Sequence, residues 1–254
     1  MHDCVLPPLP SIEILGIRIH VVDQAATLDR IAGFIEEGQP HHVVTVNPEF
    51  VEAARTDAAF RQVLERADLC VADGVGLLMA SRWQGRPLPE RVTGTDSVVR
   101  IAERSAHAGW RLFFLGAAPG VAERAAGRLQ ARFPGMVVAG THPGSPDPEE
   151  EDEIVQRVRN ARPDILFVAW GAPRQDLWIA RHLDRLGVPA CMGVGGAFDF
   201  HAGIVRRAPL LVQRAGMEWL FRLGLQPQRW RRMLALPRFA VRAAAEAWQI
   251  RRAR

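Results

Sequence analysis

The feature that most constrains this chain is an alternation. Short apolar, β-rich runs are separated by amphipathic stretches with helical spacing. The runs fall at Ile14–Val21, His42–Val46, Leu69–Ala72, Arg111–Leu115, Met136–Gly140, Ile165–Trp170 and Ala190–Val194. Strands alternating with helices predict a doubly wound α/β fold, Rossmann-like, with a mostly parallel sheet and flanking helices. Helix starts support the pattern. Asn47-Pro48 reads as an N-cap followed by proline at the first helical position. Asp147-Pro148 with Glu150 predicts a capping box. In such sheets ligands bind at the carboxyl ends of the strands, and five predicted strand ends carry glycine, polar groups or a carboxylate.

Composition excludes several chemistries. All 32 basic residues are Arg, and there is no Tyr. Schiff-base chemistry, a P-loop lysine and a Tyr–Lys dehydrogenase pair are therefore ruled out. A bound phosphate must be held by Arg, backbone N–H groups or helix N-termini. Cys4, Cys70 and Cys191 lack paired spacing, so neither a disulfide framework nor a zinc cluster is expected, and a reducing compartment fits best. No apolar run is long enough to span a bilayer, and Met1–Pro10 does not read as a signal peptide.

Charge divides the chain. Residues 206–254 hold 12 Arg against two acids, a net +10, which leaves −6 for residues 1–205 of a chain whose total is +4. The predicted domains follow that division: an α/β core over 1–205 and a basic, aromatic-rich helical appendage over 206–254. Pro209, Pro227 and Pro237 suit first helical positions and Gly224 suits a helix stop, which predicts three short helices. Phe239, Ala243, Ala247 and Ile250 form one apolar stripe of the last helix, while Trp219, Phe221, Trp230 and Trp248 add aromatics among the arginines. Such helices suit an anionic membrane surface, and equally a cap packed on the core.

Asp73 is the strongest lone acid. It follows a strand, precedes glycines, and can act as a general base; it can equally cap the helix starting near Val75. Thr45 and Asn47 end the preceding strand, and Asn47 is a strong N-cap. Gln175 can bond a sugar hydroxyl or uracil, although a bare Gln is usually a surface residue. Asp199 can be a base, a sugar ligand or a turn residue. His41, His42, His142 and His201 lack metal-ligand spacing. No metal site and no cofactor are expected. None of the glycine-rich turns is a dinucleotide fingerprint, which counts against a nicotinamide-dependent oxidoreductase. A nucleic-acid-binding module using the basic tail is the other alternative.

Six strings occur in order: Thr45-Val-Asn-Pro48, Ala72-Asp-Gly-Val-Gly76, Glu90-Arg-Val-Thr-Gly-Thr-Asp96, Gly171-Ala-Pro-Arg-Gln175, Gly193-Val-Gly-Gly-Ala-Phe-Asp199, and Arg207-Ala-Pro209 followed by Glu218-Trp-Leu-Phe-Arg222. Together, from about Leu15 to Arg232, they resemble the WecG/TagA/CpsF glycosyltransferase family. The resemblance implies an inverting, metal-independent transferase. Its donor is a UDP-sugar, often of N-acetylmannosamine or a relative, and its acceptor is a polyprenyl-diphosphate-linked sugar used in surface polysaccharide biosynthesis. It implies a cytoplasmic enzyme, peripheral at the inner face of the cell membrane, with no nucleic-acid partner. Oligomeric state stays open between a monomer and a homo-oligomer. The matching positions make Asp73 the proposed base, with Thr45, Asn47, Arg91 and Gln175 around it. Arg222, Arg229 and Arg232 match the appendage arginines expected near the diphosphate. Arg174 and Asp176 stand where Lys and Glu are usual. Inversion needs one base and positive charge at the leaving group. The acid lies in the core and the arginines in the tail, so a complete site requires the tail to fold over the core.

Overall fold

The computed structural model describes residues 6–209, 211–212, 216–225 and 230–253. Its centre is a six-stranded parallel sheet of β3 (His41–Val46), β4 (Leu69–Ala72), β5 (Arg111–Gly116), β6 (Val137–His142), β7 (Ile165–Ala169) and β8 (Ala190–Gly193), in the order β4-β3-β8-β7-β5-β6. Strands β4, β7 and β8 are buried along their whole length, and β3 and β5 in all but their first residue, as expected when both faces of a parallel sheet are covered. The expected Rossmann-like α/β class is observed.

The chain first winds outward from β3 to β4. It then crosses to β5 and β6 and returns through β7 and β8 to pair β8 with β3. The winding direction reverses between β3 and β8, and a crevice opens at such a reversal. On one face lie α1 (Gln24–Glu37), α5 (Gly94–Ala108), α6 (Val121–Arg132) and α9 (Ala197–His201), packed on Val43, Phe114, Phe167 and Met192. On the other lie α2 (Pro48–Ala54), α3 (Ala58–Arg66), α4 (Val75–Trp83), α7 (Glu151–Ala161) and α8 (Arg174–Leu186).

Two expectations within residues 1–205 are corrected. The run Ile14–Val21 is not one strand. It contributes to an antiparallel hairpin of β1 (Ser11–Ile14) and β2 (Ile17–His20), because Leu15 and Gly16 adopt φ of 51° and 74°, the positive pair of a two-residue hairpin turn. Asp147-Pro148 opens a turn rather than a helix. Helix α7 begins at Glu151 without a side-chain cap, and the Glu150 carboxylate bonds back to the Ser145 N–H.

Beyond the sheet come α10 (Glu218–Leu225), α11 (Trp230–Met233) and α12 (Ala235–Arg252). The last is one long helix, and Gly224 lies inside α10 rather than ending it. Pro237 falls in the first turn of α12, where its missing N–H costs nothing; Pro227 lies outside the described residues. The predicted stripe of α12 faces the core, with its last member, Ile250, half-buried. Phe239, Ala243 and Ala247 pack on the core beside α2 and α4.

Candidate active site

A cleft of about 740 Å³ opens at the carboxyl ends of β3, β4, β7 and β8. Its floor comes from the strand ends and its wall from α10, α11 and α12, through Glu218, Trp219, Met233 and Phe239. Thr45, Asn47, Asp73, Arg91, Gln175, Asp199 and Arg232 all line it. The predicted site residues with described side chains thus converge, although they are spread over nearly the whole sequence. Arg229 and the Arg222 side chain lie outside the described residues. A second depression, lined by Arg111, Arg159 and Arg162, sits where strand β5 starts, the end of a parallel sheet away from where ligands bind.

Asp73 is half-buried at the end of β4. Its N–H donates to the Val46 carbonyl at 2.6 Å, which ties the ends of β3 and β4 together. It does not cap α4: that helix has Gly74 before it and no side-chain cap. Instead its Oδ2 faces the Gly94 N–H, the first of α5, at a long 3.4 Å. Burial pushes the Asp73 carboxyl up to about 7, and the negative charges of Glu218 and Asp96 push the same way. Arg91 and the Gly94 N–H oppose them. A carboxyl held near neutral pH suits a group that must take up a proton during turnover.

The glycines after Asp73 have separate physical reasons. Gly74 sits at φ 119°, ψ 146°, a region closed to side chains. At Gly76, an added Cβ would lie 2.7 Å from the Pro48 ring and 3.5 Å from the Phe239 ring. It is therefore small so that α2 and α12 can close together over α4.

The neighbours of Asp73 are held by the backbone. Thr45 is buried, with its hydroxyl 3.5 Å from the Gly193 carbonyl. Asn47 caps α2 through the Phe50 N–H. Gln175 is not a surface residue: it is 1% exposed, and its Oε1 accepts from the N–H groups of Gly171 and Gly195, each at 3.0 Å. It fastens the loops after β7 and β8 to one another. Asp199 lies half-buried in α9 at the cleft wall.

The arginines are paired. Arg91 Nη1 lies 3.2 Å from Glu218 Oε2, and Arg207 Nε lies 3.3 Å from Glu218 Oε1. The Arg207 fork also grips Asp96 at 2.6 and 2.9 Å, which holds the Asp96 carboxyl below its usual range against the effect of burial. Arg232 pairs with Glu49 at the start of α2, at 2.7 Å. Arg207, Glu218, Asp96 and Glu49 were not singled out from the sequence as site residues. Three of them stand inside the ordered strings, but spacing alone cannot pair groups more than a hundred residues apart. Among the described residues, no three His, Cys, Asp or Glu side chains are grouped as a metal ion requires.

This is a strand-end cleft with one perturbed acid, several arginines and a helical wall, on a doubly wound sheet. Residues 12–253 match the model of the glycosyl transferase WecG/TagA/CpsF family. The chain belongs to that family and is a glycosyltransferase. It is 33% identical over 208 residues to an N-acetylglucosaminyldiphosphoundecaprenol N-acetyl-β-D-mannosaminyltransferase of Bacillus spizizenii, covering 82% of this chain and 80% of the relative. It is 32% identical over 249 residues to the protein of the same name from Staphylococcus aureus, covering 96% of each. Family membership sets aside the oxidoreductase and nucleic-acid readings. Among the described residues, no helix is long and apolar enough to cross a membrane.

Proposed function

We propose that this protein transfers an N-acetylmannosamine-type sugar from a UDP-sugar to a polyprenyl-diphosphate-linked sugar, with inversion and without a metal ion. The observation that carries the reading is Asp73, a carboxyl raised to about 7 on the floor of a cleft edged with arginines. The activity for which these relatives are named supports the acceptor class and the sugar.

In this mechanism Asp73 accepts the proton of the acceptor hydroxyl as that oxygen attacks the anomeric carbon. The bond from that carbon to the UDP phosphate oxygen breaks from the opposite side, and UDP leaves with the electron pair. Guanidinium groups offset the charge that develops on the leaving diphosphate. Arg91 is the described candidate beside Asp73; Arg222, Arg229 and Arg232 are the appendage candidates. Thr45, Asn47, Gln175 and Asp199 shape the walls that hold the sugar and the uridine. Residues 206–254 complete the site as an appendage and rest on the anionic inner face of the membrane. Exposed Trp219, Trp230 and Trp248 among arginines support that contact.

The test is a donor screen. Full-length protein is given a panel of UDP-sugars with a short-chain lipid-diphosphate sugar, and product linkage is read by NMR. Transfer from UDP-N-acetylmannosamine with inversion is expected. Retention of configuration, or no transfer from any UDP-sugar, overturns the reading.

A further inference from the structure

The described arginines that line the cleft, Arg91, Arg207 and Arg232, are each paired to a carboxylate. Around Asp73 the balance is closer still. Arg91 and Arg207 are matched by Asp96 and Glu218 even when Asp73 is protonated. A diphosphate entering between them gains little net attraction until one carboxylate withdraws.

The geometry decides which one. Asp96 is fixed three ways: bidentate on Arg207 at 2.6 and 2.9 Å, bonded to the Thr93 hydroxyl at 2.8 Å, and seated in the first turn of α5. Glu218 makes one longer contact per oxygen, 3.2 and 3.3 Å. It stands at the start of the short helix α10, and side chains of all three residues in the bridge are 20–27% exposed to the cleft. One carboxylate oxygen on each guanidinium is also the arrangement a phosphate oxygen takes between two arginines.

We infer that Glu218 is a resident counter-anion of Arg91 and Arg207, and that a diphosphate entering the cleft takes its place and releases the start of α10. Arg207 is then a further diphosphate-binding residue, and donor binding is coupled to the position of the helical wall. The inference rests on the proposed reading that the ligand carries a diphosphate.

The test is calorimetric titration of the full-length protein with UDP and, separately, with inorganic pyrophosphate, in the natural protein and in Glu218→Gln. Removing the competing charge should tighten both ligands by about threefold or more, the scale of a partly exposed ion pair. Unchanged or weaker binding in Glu218→Gln makes Glu218 a latch for α10 and overturns the inference. Hydrogen exchange on the natural protein does not depend on that variant folding. Saturating pyrophosphate should speed exchange over Glu218–Leu225, and unchanged or slower exchange overturns the inference. Tightened pyrophosphate binding with no UDP binding sustains the exchange while the UDP-donor reading fails. Equal UDP binding by both proteins does the reverse, and failure of both ligands to bind either protein defeats both.

Discussion

Glu246, near the end of α12, accepts the backbone N–H of Leu15 with both carboxylate oxygens at 3.0 Å, across 231 residues of chain. Leu15 sits in the hairpin turn with φ 51°. The same carboxylate takes the Gln84 side-chain amide at 2.8 Å. The last helix is thus fixed by an apolar stripe and by polar contacts, the Glu246 lock together with Arg242 on Glu52 and Arg251 on the Trp83 carbonyl, and through them it holds its part of the cleft wall.

Undocking should therefore follow from either element. Phe239→Ala should cost about 3–5 kcal/mol, as for a buried aromatic, and Glu246→Ala about 1–3 kcal/mol through the N–H groups left unpaired. Urea unfolding gives the loss. Limited proteolysis should cut first within residues 235–252, and a first cut inside the α/β core would show that the helix does not depend on these contacts.

Asp73 must be ionised to act as a base, and its carboxyl is pushed up to about 7. The value of kcat/KM should rise with pH to a plateau above about pH 7. Asp73→Asn should lower turnover by roughly 10²–10⁴-fold, the usual worth of a general base, and abolish that limb. A pH-independent rate in the natural protein between pH 5 and 8 would take the role away from Asp73.

The same shift has a stability consequence of definite sign. The folded carboxyl lies above its unfolded value of 3.8, so between about pH 4 and pH 7 the folded state binds the extra proton. Its contribution is fully present below pH 4 and is lost as pH rises through about 7. Asp73→Asn should raise Tm by a few degrees at pH 8, where the natural fold carries a buried charge, with a smaller gain at pH 5. A Tm lowered at pH 8 would mean that the carboxylate is stabilised by its surroundings.

Transfer should survive EDTA. The described site offers arginines rather than a grouped set of metal ligands, and guanidinium groups can carry the diphosphate charge. A strict requirement for magnesium or manganese, seen as loss on chelation and recovery on re-addition, would contradict this.

Membrane contact can be separated from catalysis. Arg252 stacks over the Trp248 ring at 3.9 Å on the outer side of α12, and Trp248 is exposed. Trp248→Ser with Arg252→Glu should weaken binding to anionic liposomes several-fold, since each well-placed basic residue is worth about 1 kcal/mol there. Turnover on a water-soluble acceptor should be unchanged. Liposome binding equal to that of the natural protein would move the contact elsewhere.

Local physics made much of this protein legible from its residues alone. The apolar runs predict strands because a parallel sheet buries both faces. Asn47-Pro48 marks α2 because a cap and a proline each suit one helical position. The stripe of Phe239, Ala243 and Ala247 names the buried face of α12 because helical spacing puts those residues together. Asp73 stands out because it is an acid at a strand end. Tertiary structure decided the rest, because it depends on groups distant in sequence. The hairpin at Leu15-Gly16 has no conventional turn dipeptide and owes part of its setting to Glu246. Gln175 looks like any surface glutamine until β7 and β8 bring Gly171 and Gly195 to its oxygen. The Asp73 carboxyl is pushed up to about 7 chiefly by burial, with the charges of Glu218 and Asp96 adding to it, and both depend on the folded chain. The pairing of Arg91 and Arg207 on Glu218 is invisible to composition: a sequence counts charges, but only the fold sets the distances between them, and distance determines whether an arginine is already engaged.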